Sequence, residues 1–168
     1  MRRGLRYGTL LTIAGSAGML IWLISARLFQ EKRVQKSTYT LPTFTAWETR
    51  NIFHSNALKH KKALLLFFDS SCSHCQYMVT EVEKQQQLLK TFEVLLLSTE
   101  PDSVLNLFRM RHRGNFRVLH IDPVETNQFG ITNYPTIYSY NGQGALVGKY
   151  VGEVRVDKIV QEISRNGP

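Results

Sequence analysis

Two cysteines, Cys72 and Cys75, are all that the 168 residues contain, and neither a second Cys-x-x-Cys nor a closely spaced histidine pair accompanies them. A closed structural zinc site takes four ligands, so at least two would be missing. No glycine-rich phosphate loop is present, which removes the usual signature of a nucleotide cofactor. No isolated cysteine follows a Pro-x-x-x-Thr loop, so a peroxidase-type nucleophile is lacking too. Internal repeats are absent, and the only low-complexity stretch is Gln85-Gln86-Gln87. Acid is scarce: 13 Asp and Glu stand against 21 Lys and Arg, a net charge of +8.

That charge is unevenly spread. Residues 1–36 hold seven basic side chains and only Glu31, a balance of +6, which leaves +2 for the remaining 132. The excess flanks an apolar segment, where anionic lipid headgroups account for it better than nucleic acid does. The group Arg109, Arg111, His112, Arg113 and Arg117 reads as a solvated helix end rather than a site for an acidic partner.

From Tyr7 to Ala26 no residue is charged. Twenty residues at ~1.5 Å each make a helix of ~30 Å, enough to cross the hydrocarbon core. A cleaved signal peptide is the rival, but the apolar part is long for one and Ile24-Ser25-Ala26 is a poor cleavage site. The expected organisation is an N-terminal signal-anchor over 1–29, a polar tether over 30–43 and a folded domain over 44–168. Basic residues on the two sides of the apolar run nearly tie, so charge alone does not orient it. A signal-like start exports the rest of the chain, which would carry the cysteines into an oxidising compartment.

The cysteines stand within Phe67-Phe68-Asp69-Ser70-Ser71-Cys72-Ser73-His74-Cys75-Gln76, after the apolar run Ala63–Phe68 and before a helical pattern. A strand, a loop and then a helix put Cys72 at the helix N-terminus, where unpaired N–H groups and the macrodipole favour negative charge. The thiolate is such a charge, so Cys72 is expected to be the attacking sulfur, with Cys75 one turn deeper. A purely structural bridge between positions three apart would remove little chain entropy. The layout is that of a two-electron dithiol switch.

Along the chain, Phe44–Ala46 reads as a short edge strand and Thr49–His60 as a helix carrying Ile52, Phe53, Ala57 and Leu58. Ala63–Phe68 lacks alternation, as a strand covered on both faces should. The helix after Cys75 is expected to reach about Lys90, with Phe92–Ser98 as the next buried strand and a helix opening at Pro101. Phe116–Ile121 is either a third strand or an extended loop, and a short helix is expected from Glu125 to Phe129. Tyr134-Pro135-Thr136 opens a strand, Asn141–Gly144 is a hairpin turn, Ala145–Val151 returns, and Val154–Arg165 closes as a helix.

With Cys72-Ser73-His74-Cys75, Tyr134-Pro135-Thr136 and Tyr150-Val151-Gly152 in this order, residues 45–165 resemble the thioredoxin-like superfamily. The likeness is greatest to the membrane-anchored bacterial thiol–disulfide oxidoreductases of the TlpA and ResA type. It implies an α/β fold with a central mixed sheet flanked by helices, preceded here by the transmembrane helix. It also implies catalysis by Cys72 and Cys75, which would close a disulfide, and a cis-proline loop, Tyr134, Pro135 and Thr136, that binds extended substrate. Disulfide- or dithiol-containing proteins would be the substrates, a redox partner would reset the pair, and no cofactor would be needed. The location implied is the bacterial cytoplasmic membrane, with the domain facing the periplasm or exterior, or free there after cleavage.

Several positions depart from the family pattern. Ser71 replaces the usual Trp before the first cysteine, and apolar Leu66 stands where a buried acid is usual. Asp69 and Glu100, each near the C-terminal end of a strand, are the candidate substitutes as proton acceptor, with a turn or cap role as the alternative reading. No proline separates the cysteines, and His74 matches a thiolate-stabilising histidine of the oxidase DsbA, whereas Ser73 offers no such help. A Cys72, His74 and Cys75 copper carrier, or a redox-inert binding module on the same scaffold, are the alternatives.

Overall fold

A computed structural model describes residues 40–166. The expected transmembrane helix and residues 30–39 of the tether lie outside them. Among the described residues no helix is long and apolar enough to cross a membrane.

The strands are β1 (Thr45–Glu48), β2 (Asn51–His54), β3 (Lys62–Phe67), β4 (Phe92–Ser98), β5 (Arg117–Ile121), β6 (Thr136–Tyr140) and β7 (Leu146–Val151). The helices are α1 (Ser73–Lys84), α2 (Asp102–Arg111), α3 (Pro123–Asn127) and α4 (Val156–Asn166). Among the described residues the strands form one mixed sheet in the order β2-β1-β5-β4-β3-β6-β7. Strands β3, β4 and β5 are parallel neighbours, and α1 and α2 are the crossovers that parallel pairing requires.

The uninterrupted apolar run of β3 now has its reason. Leu64, Leu66 and Phe68 point into a core shared with α1, α2 and α4, while Ala63, Leu65 and Phe67 point into a second core on the opposite face. Aromatic rings fill that second layer: Phe67 lies 4.8 Å from Phe129, centroid to centroid, and Phe44 lies 5.5 Å from Phe129. Tyr138 donates its hydroxyl to the Phe129 carbonyl. Tyr140, just as buried, has a hydroxyl with no partner among the described residues. A buried donor left unmade costs ~1–3 kcal/mol. Tyr140→Phe is therefore expected to stabilise the domain by about 1 kcal/mol, measured as a higher thermal midpoint.

The helix expected over Thr49–His60 does not form. A turn at Thr49, with φ of 57°, folds β2 back on β1 in the register Ala46↔Phe53 and Trp47↔Ile52, and Ser55–Leu58 make a single 3-10 turn. The spacing of the apolar residues misled because Ile52 and Ala57 do not face the core at all; Ile52 is 58% exposed, whereas Phe53 and Leu58 are buried. Strand β1 is longer than expected and not at the edge, since it lies between β2 and β5. Within Phe116–Ile121, Arg117–Ile121 form a true strand, β5, held between β4 and β1.

Three helix limits also move. Helix α1 stops at Lys84, and the chain turns through residues 85–91 while Leu89 alone anchors in the core. Asp122 caps α3 through its side chain on the Val124 amide (2.7 Å) with Pro123 in the first turn, so this helix starts two residues early. Helix α4 starts at Val156, two residues later than the periodicity placed it. Most of the basic group near α2 is spent inside the fold. Arg109 binds Asp102 and the Val118 carbonyl, Arg117 binds Glu48, and His112 meets Glu83.

Candidate active site

Strand β3 delivers its last residues to the end of the sheet at which α1 begins. The Phe68 amide still bonds to the Leu97 carbonyl (3.0 Å), and a short loop later Cys72 is the N-cap of α1 in extended conformation. The intervening loop is tied down on every side. Asp69 accepts from the Ser71 amide (2.8 Å) and hydroxyl (2.6 Å), and its carbonyl accepts from the Cys72 amide (3.2 Å). Glu100, just past the end of β4, accepts from the Ser70 amide (2.8 Å) and hydroxyl (2.6 Å) and from the Ser98 hydroxyl (3.0 Å). Gln76 donates its side-chain amide to the Ser70 carbonyl (2.8 Å).

No side chain caps α1, so the amides of its first turn have no side-chain acceptor. They supply the partial positive charge in which a Cys72 thiolate would sit. Both cysteines are free thiols; Cys72 is half-buried and Cys75 has no exposed surface. The Cys75 thiol is pushed up from 9.0 to about 12, chiefly by burial. The Asp69 backbone amide acts in the other direction, while a hydrogen bond to the Cys72 sulfur and the charges of Cys72 and Asp69 add to the rise. Burial therefore favours the protonated form of Cys75.

A pH signature arises from that shift. A thiol whose folded value is raised gives stability that is whole below its unfolded value, near 9, and is lost as pH rises from there through 12. The reduced chain should hold a constant contribution from Cys75 up to about pH 9 and lose it above. Across pH 6 to 9, iodoacetamide should modify Cys72 and spare Cys75, read by peptide mass spectrometry; equal modification of both would contradict this arrangement.

The proline loop comes to the same end of the sheet. Phe67 pairs with Thr136 and Thr136 pairs with Val151, so Tyr134 and Pro135 lie beside the strand end that leads to Cys72. The Tyr134–Pro135 bond is cis, and the Pro135 carbonyl accepts from the Gly152 amide (2.8 Å). Thr136 is buried with its hydroxyl on the Asn133 carbonyl (2.6 Å), while Tyr134 and Val151 expose apolar surface.

The other residues singled out in the sequence have definite positions. His74 turns outward, its Nδ1 2.6 Å from Glu153 Oε1, a residue that no local sequence cue connected with the cysteines. Ser73 is the first residue of α1. Leu66 is fully buried in the core that also holds Cys75. Asp69 lies close enough for its charge to act on Cys75, whereas Glu100 is engaged with Ser70 and Ser98. Among the described residues no three His, Cys, Asp or Glu side chains converge as metal ligands. The set Cys72, His74 and Cys75 is not assembled, because Glu153 holds the imidazole.

The sequence model of a thioredoxin-like domain matches residues 52–165, well over half of the chain. The chain belongs to the thioredoxin-like family. Its fold agrees: a thiol:disulfide interchange protein of the thioredoxin family from Chlorobium tepidum superposes with a TM-score of 0.67 at 18% identity, over 76% of this chain and 95% of that one. The exposed lipoprotein thioredoxin of Streptococcus pneumoniae gives 0.63 at 21% identity, over 74% and 99%. A secreted Mycobacterium tuberculosis disulfide oxidoreductase gives 0.62 at 17%, over 74% and 96%. At such identities the likeness is one of fold. No curated protein sequence matches the chain. A thioredoxin-like domain with an adjacent cysteine pair at the start of its first long helix supports oxidoreductase activity.

Proposed function

We propose that this thioredoxin-like protein is a membrane-anchored thiol–disulfide oxidoreductase acting on exported proteins through Cys72 and Cys75. The observation that carries the reading is the asymmetry of the pair: Cys72 is partly accessible at the helix N-terminus and Cys75 is fully buried in the core behind it.

In the reductive direction the Cys72 thiolate attacks one sulfur of a substrate disulfide. A Cys72–substrate mixed disulfide forms, and the other substrate sulfur leaves as a thiolate that takes a proton from solvent. Cys75 then gives its proton to an acceptor, for which Asp69 is the nearer carboxylate, and attacks the Cys72 sulfur. The Cys72–Cys75 bridge forms and the second substrate thiolate departs, so two electrons have passed to the substrate. Oxidation of a substrate dithiol is the same sequence reversed. A redox partner restores the starting state, and no cofactor enters any step. An extended substrate strand lies along Tyr134, Pro135 and Thr136, with Tyr134 and Val151 as its apolar contacts.

The charge-free run Tyr7–Ala26 supports a retained anchor with the N-terminus in the cytoplasm and the domain in the periplasm or outside the cell. Secreted and lipoprotein-type fold relatives accord with an exported domain.

The test is turnover: the full chain should catalyse exchange between a disulfide-bonded model peptide and a dithiol reductant over many cycles, and Cys72→Ala should reduce it to background. A bridge that stays closed in mild dithiol, with no exchange, would leave only an inert binding module. The reduction potential of the couple then gives direction, near ~−270 mV for a reductase and near ~−120 mV for an oxidase.

A further inference from the structure

The end of the sheet opposite the cysteines carries a feature that redox chemistry does not use. Strands β3 and β4 begin there, side by side at Lys62 and Phe92. Around them His60, Lys61, Lys62 and Lys90 border an open depression of about 500 Å³ that is closed on the far side by Gly142 and Gln143. Lys59 lines the neighbouring hollow. Only Lys61 of these cations has an acidic partner among the described residues, Glu93 at 2.7 Å, and that pair is exposed. Cations at helix C-termini offset the macrodipole, as Lys84 and Arg111 do. Lys59 follows only the single 3-10 turn Ser55–Leu58, and Lys62 and Lys90 lie at a strand start and in a turn, so no long helix dipole accounts for them.

The cysteine end has the opposite character. Asp69, Glu100, Asp102 and Glu153 gather at or beside the loops around Cys72. The six residues of β3 separate the two ends by ~20 Å, at ~3.3 Å per residue. Charge is thus uneven between the ends. Lys59, Lys62 and Lys90 form a basic pole with no acidic partner among the described residues. At the site, the acidic pole, Asp69 and Glu100 have no basic partner among those residues, while Asp102 is paired with Arg109 and Glu153 with His74.

The entry of the chain is at the basic pole. Thr40 pairs with Ala145, and the Leu41 amide bonds to the Gly144 carbonyl (2.8 Å), next to the Gly142 and Gln143 that border the depression. The 39 residues before Thr40 contain the charge-free run and the basic residues Lys32, Arg33 and Lys36.

We propose that the Lys59–Lys62 and Lys90 pole is a docking surface for a bilayer containing anionic lipid, which seats the domain with Cys72 facing away from the membrane. This rests on the membrane attachment proposed above and not on the redox reading. A lysine close to an acidic bilayer strengthens binding by roughly fivefold, and three or four together outweigh the free tumbling of a tethered domain. The acidic pole is repelled by the same surface, so one orientation dominates. The cysteine pair then meets soluble exported proteins rather than lipid.

The experiment reads lysine protection in the full chain incorporated into vesicles of phosphatidylcholine alone or mixed with phosphatidylglycerol. In mixed vesicles, acetylation of Lys59, Lys62 and Lys90 should slow about fivefold relative to Lys158, with the protection lost at high salt. Lys59→Glu with Lys90→Glu should remove the protection at Lys62 and leave Cys72 alkylation unchanged. Equal acetylation in the two vesicle types, with the chain bound to both, would overturn the docking surface while leaving the anchor intact. Flotation and protection with anionic vesicles alone would support the surface and remove the anchor. Flotation with neither removes both. Stronger protection by a short DNA duplex than by anionic vesicles would assign the pole to nucleic acid and overturn the proposal. None of these outcomes touches the exchange assay, which tests the redox reading separately.

Discussion

Cys75→Ser is expected to convert a turnover enzyme into a trap. Cys72 remains at the N-cap of α1 with its helix amides and its accessibility, so capture of a substrate disulfide proceeds. The sulfur that displaces the substrate is gone, and a serine hydroxyl does not attack a disulfide. Mixed disulfides should accumulate to near stoichiometry with Cys72, visible as higher-mass species on non-reducing gels and released by dithiol. Turnover should fall to the uncatalysed background, a loss of orders of magnitude. If no mixed disulfide forms at any substrate concentration while Cys72 stays alkylatable, the two-cysteine mechanism is wrong.

Phe68→Ala should produce the largest loss of stability and report on the site as well. Phe68 is the residue at which β3 hands over to the catalytic loop, and its ring packs at a tilt, 4.7 Å between centroids, against that of Phe108 on α2 in the core that contains Cys75. Removing a buried phenyl ring costs ~3–5 kcal/mol, a large share of the ~5–15 kcal/mol that holds a domain together. The thermal midpoint should drop by on the order of 10–20 °C. The vacated space lies in the core that holds Cys75, whose high value is chiefly a burial effect. Water reaching it should lower that value, so Cys75 should begin to alkylate at a pH where the parent chain protects it. A drop in the midpoint with Cys75 still fully protected would show that other neighbours keep it dry. Phe67→Ala serves as the control, because Phe67 faces the opposite core and should cost similar stability without exposing Cys75.

The two thiols read in this way show why part of the site was legible in the residues and part was not. An apolar run ending in a loop and a Cys-x-x-Cys at a helical pattern are local facts, and local physics places Cys72 at the helix start. The proline loop was legible for a similar reason, since Pro135 opens a β-rich run and the family resemblance points to it. Glu153 was invisible: it reaches His74 across 79 positions, and only the return of β7 to the cysteine end creates that contact. Glu100 was visible as a carboxylate at a strand end. Its hydrogen bonds to Ser70 depend on the parallel pairing of β3 with β4, which aligns the two strand ends.

The clearest miss, residues 49–60, has the same origin. Twelve residues with apolar positions near helical spacing satisfy a helix and a hairpin about equally when taken alone. Pairing with β1, and the second aromatic core waiting for Phe53 and Leu58, decided for the hairpin.

By itself the order of residues determined the α/β class, the buried central strands, the position of the cysteine pair at a helix N-terminus and the apolar run that suggests an anchor. All of these rest on interactions within a few turns of chain. The tertiary structure alone decided the burial that favours the protonated form of Cys75, the partner that turns His74 away, and the gathering at the pole remote from the site of lysines with no acidic partner among the described residues. Those depend on which distant segments a seven-stranded sheet brings side by side, and free energy of burial and charge is a property of that arrangement rather than of any one stretch.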